Sequence, residues 1–134
     1  MIGLDTNILV RYIVQDDESQ AAVATRLIER ECKPDSPGWV DAVVLCELAW
    51  VLESAYDYNR ATVAEVLRTL LTSAELRVET PEFARAALRA YQEGSADYAD
   101  CLIGLRNQQV GCAVTCTFDK RAGRMELHRL VKAG

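Results

Sequence analysis

The chain has a single histidine, His128, in 134 residues, and its five cysteines include no Cys-x-x-Cys pair. Zinc sites are built from clustered imidazoles and thiolates, so this composition argues against one. Cys32, Cys46, Cys101, Cys112 and Cys116 are odd in number, and reduced core thiols are expected. Cys46 and Cys101 fall inside helical apolar patterns, while Cys112 and Cys116 would share one face of a strand. No apolar run reaches the roughly 18 residues that a membrane-crossing helix needs. The first residues lack the basic flank and cleavage site of a signal peptide, so they are expected to belong to the fold and the chain to the cytoplasm. No Gly-rich phosphate loop is present, and no Ser or Cys nucleophile is paired with a base. Repeats, low-complexity tracts and linkers are also missing, which leaves one domain, 1–134, with one core. The net charge of −5 speaks against simple electrostatic binding of nucleic acid.

What remains is an ordinary globular composition, 50% apolar and 26% charged. Residues 1–5 read as a short buried strand and 6–14 as a helix begun by Asp5 or Thr6. Asp17-Glu18-Ser19-Gln20 resembles a capping box opening a second helix to about Arg30. A turn at Pro34 to Pro37 precedes a short strand near Trp39. Residues 41–56 form an apolar helix, 60–73 an amphipathic one, and Leu76 to Glu79 a strand. Thr80-Pro81-Glu82 starts a helix with Pro in its first turn, ending near Glu93-Gly94. A further helix runs from about Ala96 to Gln108. Cys112 to Thr117 looks like a central strand, and Glu126 to Val131 like a last one. Strands alternating with helices or helix pairs imply an α/β fold with a parallel sheet. Ligands of such sheets gather at the carboxyl ends of the strands. Asp5 ends the first strand and Asp119 lies two residues beyond another, so both are expected at one edge of one sheet.

Several carboxylates stand where solvation alone does not account for them. On a helix, Glu47 has Val43, Val44, Trp50 and Val51 three and four positions away. A carboxylate buried there needs a cation, hydrogen-bond donors or a proton; pairing with a core Arg is the plainer alternative. Asp97 and Asp100 lie at i, i+3 on one helix face. Asp97 alone is explained as a first-turn acid favoured by the helix dipole. Asp100 has Ala96, Ile103 and Gly104 beside it, and two like charges in an apolar wall repel unless something positive lies between them. Asp119 is equally a turn residue or a ligand, whereas Asp16, Asp17 and Asp57 read as caps and loop residues. Together Asp5, Glu47, Asp97, Asp100 and Asp119 come from four segments. Carboxylates without His or Cys suit a hard cation, Mg²⁺ or Mn²⁺. Such an ion activates water and stabilises charge on phosphate oxygens, which points to phosphodiester hydrolysis.

Asp5-Thr6-Asn7 after a first strand, Glu47 within Val44-Leu45-Cys46-Glu47-Leu48-Ala49-Trp50-Val51-Leu52, Asp97-Tyr98-Ala99-Asp100 and Thr117-Phe118-Asp119 resemble the PIN-domain ribonucleases. Within them the match is to the VapC-type toxins of bacterial toxin–antitoxin pairs, and it extends from Ile2 to about Leu130. The resemblance implies a three-layer α/β/α fold with a short, mostly parallel sheet. It implies RNA cleavage dependent on Mg²⁺ or Mn²⁺, a homodimer, and a small antitoxin blocking the active-site groove. The family's acidic quartet maps onto Asp5, Glu47, Asp100 and Asp119, with Asp97 as an accessory acid. Thr117 maps onto a hydroxyl beside the metal and Asn7 onto a residue that orients Asp5. The negative net charge is then answered locally: metals bring the phosphate, and Lys120, Arg121, Arg124, Arg129 and Lys132, with Arg11, offer a basic surface for RNA. Two other readings stand beside this one. A non-catalytic acidic interaction module would use the carboxylates to hold a structural cation. An aspartate-nucleophile phosphatase would want a second Asp where Asn7 stands.

Overall fold

A computed structural model describes residues 1–133, which fall into two compact units, Met1–Pro81 and the chain from Glu82 onward. The first unit holds β1 (Ile2–Gly3), α1 (Thr6–Val14), α2 (Glu18–Glu31), β2 (Gly38–Val40), α3 (Ala42–Ser54), α4 (Arg60–Thr72) and β3 (Leu76–Val78). Its strands pair in the order β1-β2-β3, all parallel, with Ile2 opposite Gly38 and Gly38 opposite Leu76. Each helix begins where a short polar side chain can take an orphan backbone N–H. Asp17 accepts from Gln20 N at 3.0 Å, Asp41 from Val44 N at 2.9 Å and Asn59 from Thr62 N at 2.8 Å. The expected capping box at α2 is half formed, because the Gln20 carboxamide accepts instead from Arg11 Nε at 2.7 Å.

Burial follows the helical period. Leu45, Leu48 and Leu52 of α3 make one stripe that is fully buried, as are Leu9 of α1 and Val63 and Leu67 of α4. The strands cross this core at close range. A Cβ on Gly38 would sit 2.7 Å from Cys32 Sγ and 2.8 Å from Leu4 Cδ1, so only glycine fits there. Burial also pushes the Cys32 thiol pKa up, which keeps it protonated and inert.

The second unit comprises α5 (Pro81–Glu93, starting at the boundary), α6 (Tyr98–Gln109), β4 (Thr115–Thr117), a 3-10 turn at Ala122–Arg124 and β5 (His128–Leu130). Pro81 opens α5 as its sequence position requires. The start of α6 is fastened by Tyr98, whose buried hydroxyl donates to Ala84 O at 2.9 Å and whose ring meets Tyr91 edge-on at 6.1 Å. β4 and β5 are parallel, with Thr115 opposite His128 and Thr117 opposite Leu130. Among the described residues the strands therefore form a three-stranded and a two-stranded ladder, where one sheet was expected.

The predicted central strand from Cys112 to Thr117 is shortened and partly exposed. Gly111, at φ +102°, takes the left-handed position after α6. Gly111 N donates to Gln108 O and Cys112 N to Asn107 O, both at 3.0 Å. This Schellman closure spends the Cys112 backbone on the helix end. Cys112 lies outside the strand and Cys116 is exposed, so neither is the core thiol expected from the pattern. No helix among the described residues is long and apolar enough to cross a membrane. The α/β class with short parallel strands holds.

Candidate active site

In the first unit, Asp5 leaves the β1 segment in extended conformation and caps α1, its Oδ1 accepting from Thr6 N at 2.7 Å. The Thr6 hydroxyl donates to Glu47 Oε1 of α3 at 2.9 Å. Thr6 thus holds two carboxylates, one through its backbone and one through its side chain. Sequence reasoning saw Thr6 only as a possible helix start and gave it no part in holding the acids, although its place directly after Asp5 was the available signal. The orientation of Asp5 expected from Asn7 comes from Thr6 instead. Asn7 is exposed and lines, with Asp5, Thr6, Arg11, Glu47 and Tyr56, a hollow of about 390 Å³.

Glu47 corrects an expectation. It is exposed, and Val43 and Trp50 beside it are each 64% exposed. The helical period placed them on one face correctly, but that face is not the buried one; the Leu45-Leu48-Leu52 stripe is. Glu47 is held by a hydroxyl donor, with no buried Arg involved. Arg11, expected to add to a basic surface for RNA, is itself paired with an acid. Its Nη1 lies 2.8 Å from Asp16 Oδ1 and 3.3 Å from the Tyr56 hydroxyl, while Nε donates to Gln20. The Tyr56 hydroxyl donates in turn to Asp16 Oδ2 at 3.0 Å. Desolvation pushes the Asp16 carboxyl up, but hydrogen bonds from Arg11 and Tyr56 outweigh it and leave its pKa below the ordinary value. The same pairing raises the pKa of Arg11.

In the second unit the charges of Asp97 and Asp119 both bear on Asp100, and all three residues are half-buried. Asp119 follows β4, and the Thr117 hydroxyl accepts from Asp119 N at 3.0 Å, shaping that turn. Asp119 Oδ1 accepts from Ala122 N at 2.9 Å. That bond first, then Arg121 through its backbone N–H and its charge, hold the Asp119 pKa below the usual carboxylate range against some desolvation. Asp100 is shifted the opposite way. Burial pushes its pKa up, the negative charges of Asp119 and Asp97 add to the shift, and His128 and Arg121 pull against it. Asp97 is the N-cap residue of α6 but makes no side-chain cap bond; its Oδ1 meets Arg121 Nη2 at 3.3 Å. Arg121 is therefore engaged with an acid. Lys120 and Arg124 are exposed, and Arg129 reaches Cys116 Sγ at 3.4 Å.

The donors suit a hard cation in kind. They are carboxylate oxygens, and the upward shift of Asp100 beside two other acids is what a nearby positive ion would relieve. Within each unit, no three Asp, Glu, His or Cys side chains among the described residues are grouped closely enough to hold a metal by themselves.

A model of the PIN domain matches residues 2–127 of the chain. The chain belongs to the PIN domain family. It is also similar to the VapC ribonuclease of Aquifex aeolicus (strain VF5), with 25% identity over 118 residues, covering 88% of this chain and 87% of that protein. The PIN-like α/β/α class expected from the sequence stands with this membership. PIN domain nucleases generally use divalent metal ions, in keeping with the oxygen donors described above.

Proposed function

We propose that this PIN domain is a metal-dependent endoribonuclease, the toxin of a toxin–antitoxin pair. The observation that carries the reading is the PIN domain match over residues 2–127, in keeping with Asp97 and Asp119 lying near enough to Asp100 for their charge to act on it. Asp5, Glu47, Asp100 and Asp119 would hold the divalent cation, Mg²⁺ or Mn²⁺, with Asp97 accessory to them. When bound, such an ion supplies a Lewis acid for phosphate oxygens and lowers the pKa of its water. The chain's own residues prepare the donors. Thr6 fixes Asp5 and Glu47, the Ala122 N–H keeps Asp119 ionised and oriented, and Arg121 restrains Asp97. Thr117 acts through the turn that carries Asp119. Exposed Lys120 and Arg124, with Arg121 when it leaves Asp97, attract the RNA backbone. The match to the VapC ribonuclease, and the run of the PIN domain through 2–127, support treating the chain as one domain that works in the cytoplasm as a homodimer held in check by a small antitoxin.

Purified protein free of antitoxin is expected to cleave single-stranded RNA with Mg²⁺ or Mn²⁺ and to stop when EDTA is added. Asp5→Asn, Glu47→Gln, Asp100→Asn and Asp119→Asn are each expected to lower the initial rate by about 10²-fold or more, with pairs losing little beyond singles. Undiminished cleavage in EDTA, or a fully active Asp100→Asn, would falsify the assignment.

A further inference from the structure

The hollow beside Asp5 and Glu47 has a second wall that the acid chemistry does not use. Arg11 is held at two of its three nitrogens, Nε by Gln20 and Nη1 by Asp16 and the Tyr56 hydroxyl. Among the described residues its Nη2 has no hydrogen-bond partner. Tyr56 is pinned through its hydroxyl to Asp16 and lines the same hollow as Arg11 and Asn7. The residue after it, Asp57, turns the chain with φ +54°. The space of about 390 Å³ lies within the range of small-ligand pockets. An adjoining hollow of about 530 Å³ shares Asn7 and Arg11 as its wall and extends along α1 and α2 past Gln20.

Single-stranded RNA is read by unstacked bases placed on aromatic rings or guanidinium planes, with carboxamides bonding the base edges. A held aromatic, a guanidinium with two spare donors and an exposed carboxamide are the parts such a site requires. Pinning also means that little side-chain freedom is lost on binding. We infer that the hollow is a nucleotide subsite of the RNA substrate: an unpaired base next to the cut contacts Tyr56 and Asn7, and its phosphate takes the Nη2 donors of Arg11. This rests on the nuclease reading above and adds to it the group that selects which nucleotide flanks the cleaved bond. The shared Arg11–Asn7 wall lets the strand continue into the adjoining hollow.

Two readouts on wild type, Tyr56→Ala and Asn7→Ala test it. The first is mapping of cut sites in a randomised single-stranded RNA pool with Mg²⁺. The second is fluorescence anisotropy of labelled single-stranded RNA in EDTA. Both variants are expected to redistribute the nucleotide at one position flanking the cut and to weaken binding in EDTA by about tenfold. Asn7 is exposed, so its variant reports even if Tyr56→Ala folds poorly. A wild type that cleaves, with both variants cutting the same positions at the same affinity, overturns the subsite and leaves the nuclease reading intact. A wild type that binds RNA through Tyr56 and Asn7 but never cleaves overturns the nuclease reading while supporting the binding site.

Discussion

Asp100 and Asp119 show how one residue type is driven to opposite behaviour by its surroundings. The carboxyl of Asp100 titrates above its unfolded value because it is partly desolvated and faces Asp119 and Asp97. Its contribution to folding is fully present below the unfolded value, near 3.9, and is lost as pH rises through the higher folded value. Asp100→Asn should therefore raise the melting temperature near pH 7 in EDTA, with the gain shrinking as pH falls toward about 4. Asp119 is held below its unfolded value by the Ala122 N–H, so its contribution is present at neutral pH and lost as pH falls through the folded value. Asp119→Asn should lower the melting temperature near pH 7 and do so less in acid. Thermal melts across pH check both signs, and equal shifts in one direction would sink the electrostatic account. Glu47 belongs to a third case. Exposed and bonded to Thr6, it can become Gln with an acceptor retained, so Glu47→Gln should melt close to wild type.

At the scale of elements, α6 and β5 meet through the smallest and the most unusual residue of the second unit. A Cβ on Gly104 would stand 2.5 Å from His128 Cε1, so β5 can pack there only because α6 offers no side chain. His128 is 7% exposed, and neither ring nitrogen has a hydrogen-bond partner. Gly104→Ala should cost about 1–3 kcal/mol by overpacking. In a His128→Ala background the same change should cost much less, since the two sites share one space. Urea denaturation of the four proteins measures this coupling, and additive costs would show that the contact carries no strain. The helix starts are a simpler matter of sequence. Asp17, Asp41 and Asn59 are caps because each precedes a run whose first N–H groups lack partners. Asp97 has the same position at α6 but gives its side chain to Arg121, a choice set by a residue 24 positions away.

For the whole molecule, the acids carry more negative charge than the basic residues offset, and the net charge is −5. A cation bound only by the folded state should stabilise it in proportion to the logarithm of its concentration, by about 2.7 kcal/mol at a hundredfold excess over Kd. Mg²⁺ is expected to raise the melting temperature of the wild type, and to raise that of Asp5→Asn or Asp119→Asn much less. Full Mg²⁺ shifts in both variants would remove these two acids from the metal site. Differential scanning fluorimetry with a Mg²⁺ titration gives the answer without any activity assay.

Helix positions, caps and the carboxylates themselves follow from local chemistry, so they were legible in the chain. A capping Asp, a Pro at a first turn and a 3.6-residue apolar period act over one or two turns. Which face of α3 is buried was not legible, because Glu47, Val43 and Trp50 share a period with the core leucines and only packing separates the two stripes. The division of the strands into two ladders, the half-formed capping box at α2 and the clamp on Arg11 were decided in the same way. Each depends on partners far along the chain or on competition for one side chain, as when Gln20 turns from its own helix end to Arg11. Local sequence supplied the acids; the fold chose Thr6 to hold two of them and Ala122 to hold a third.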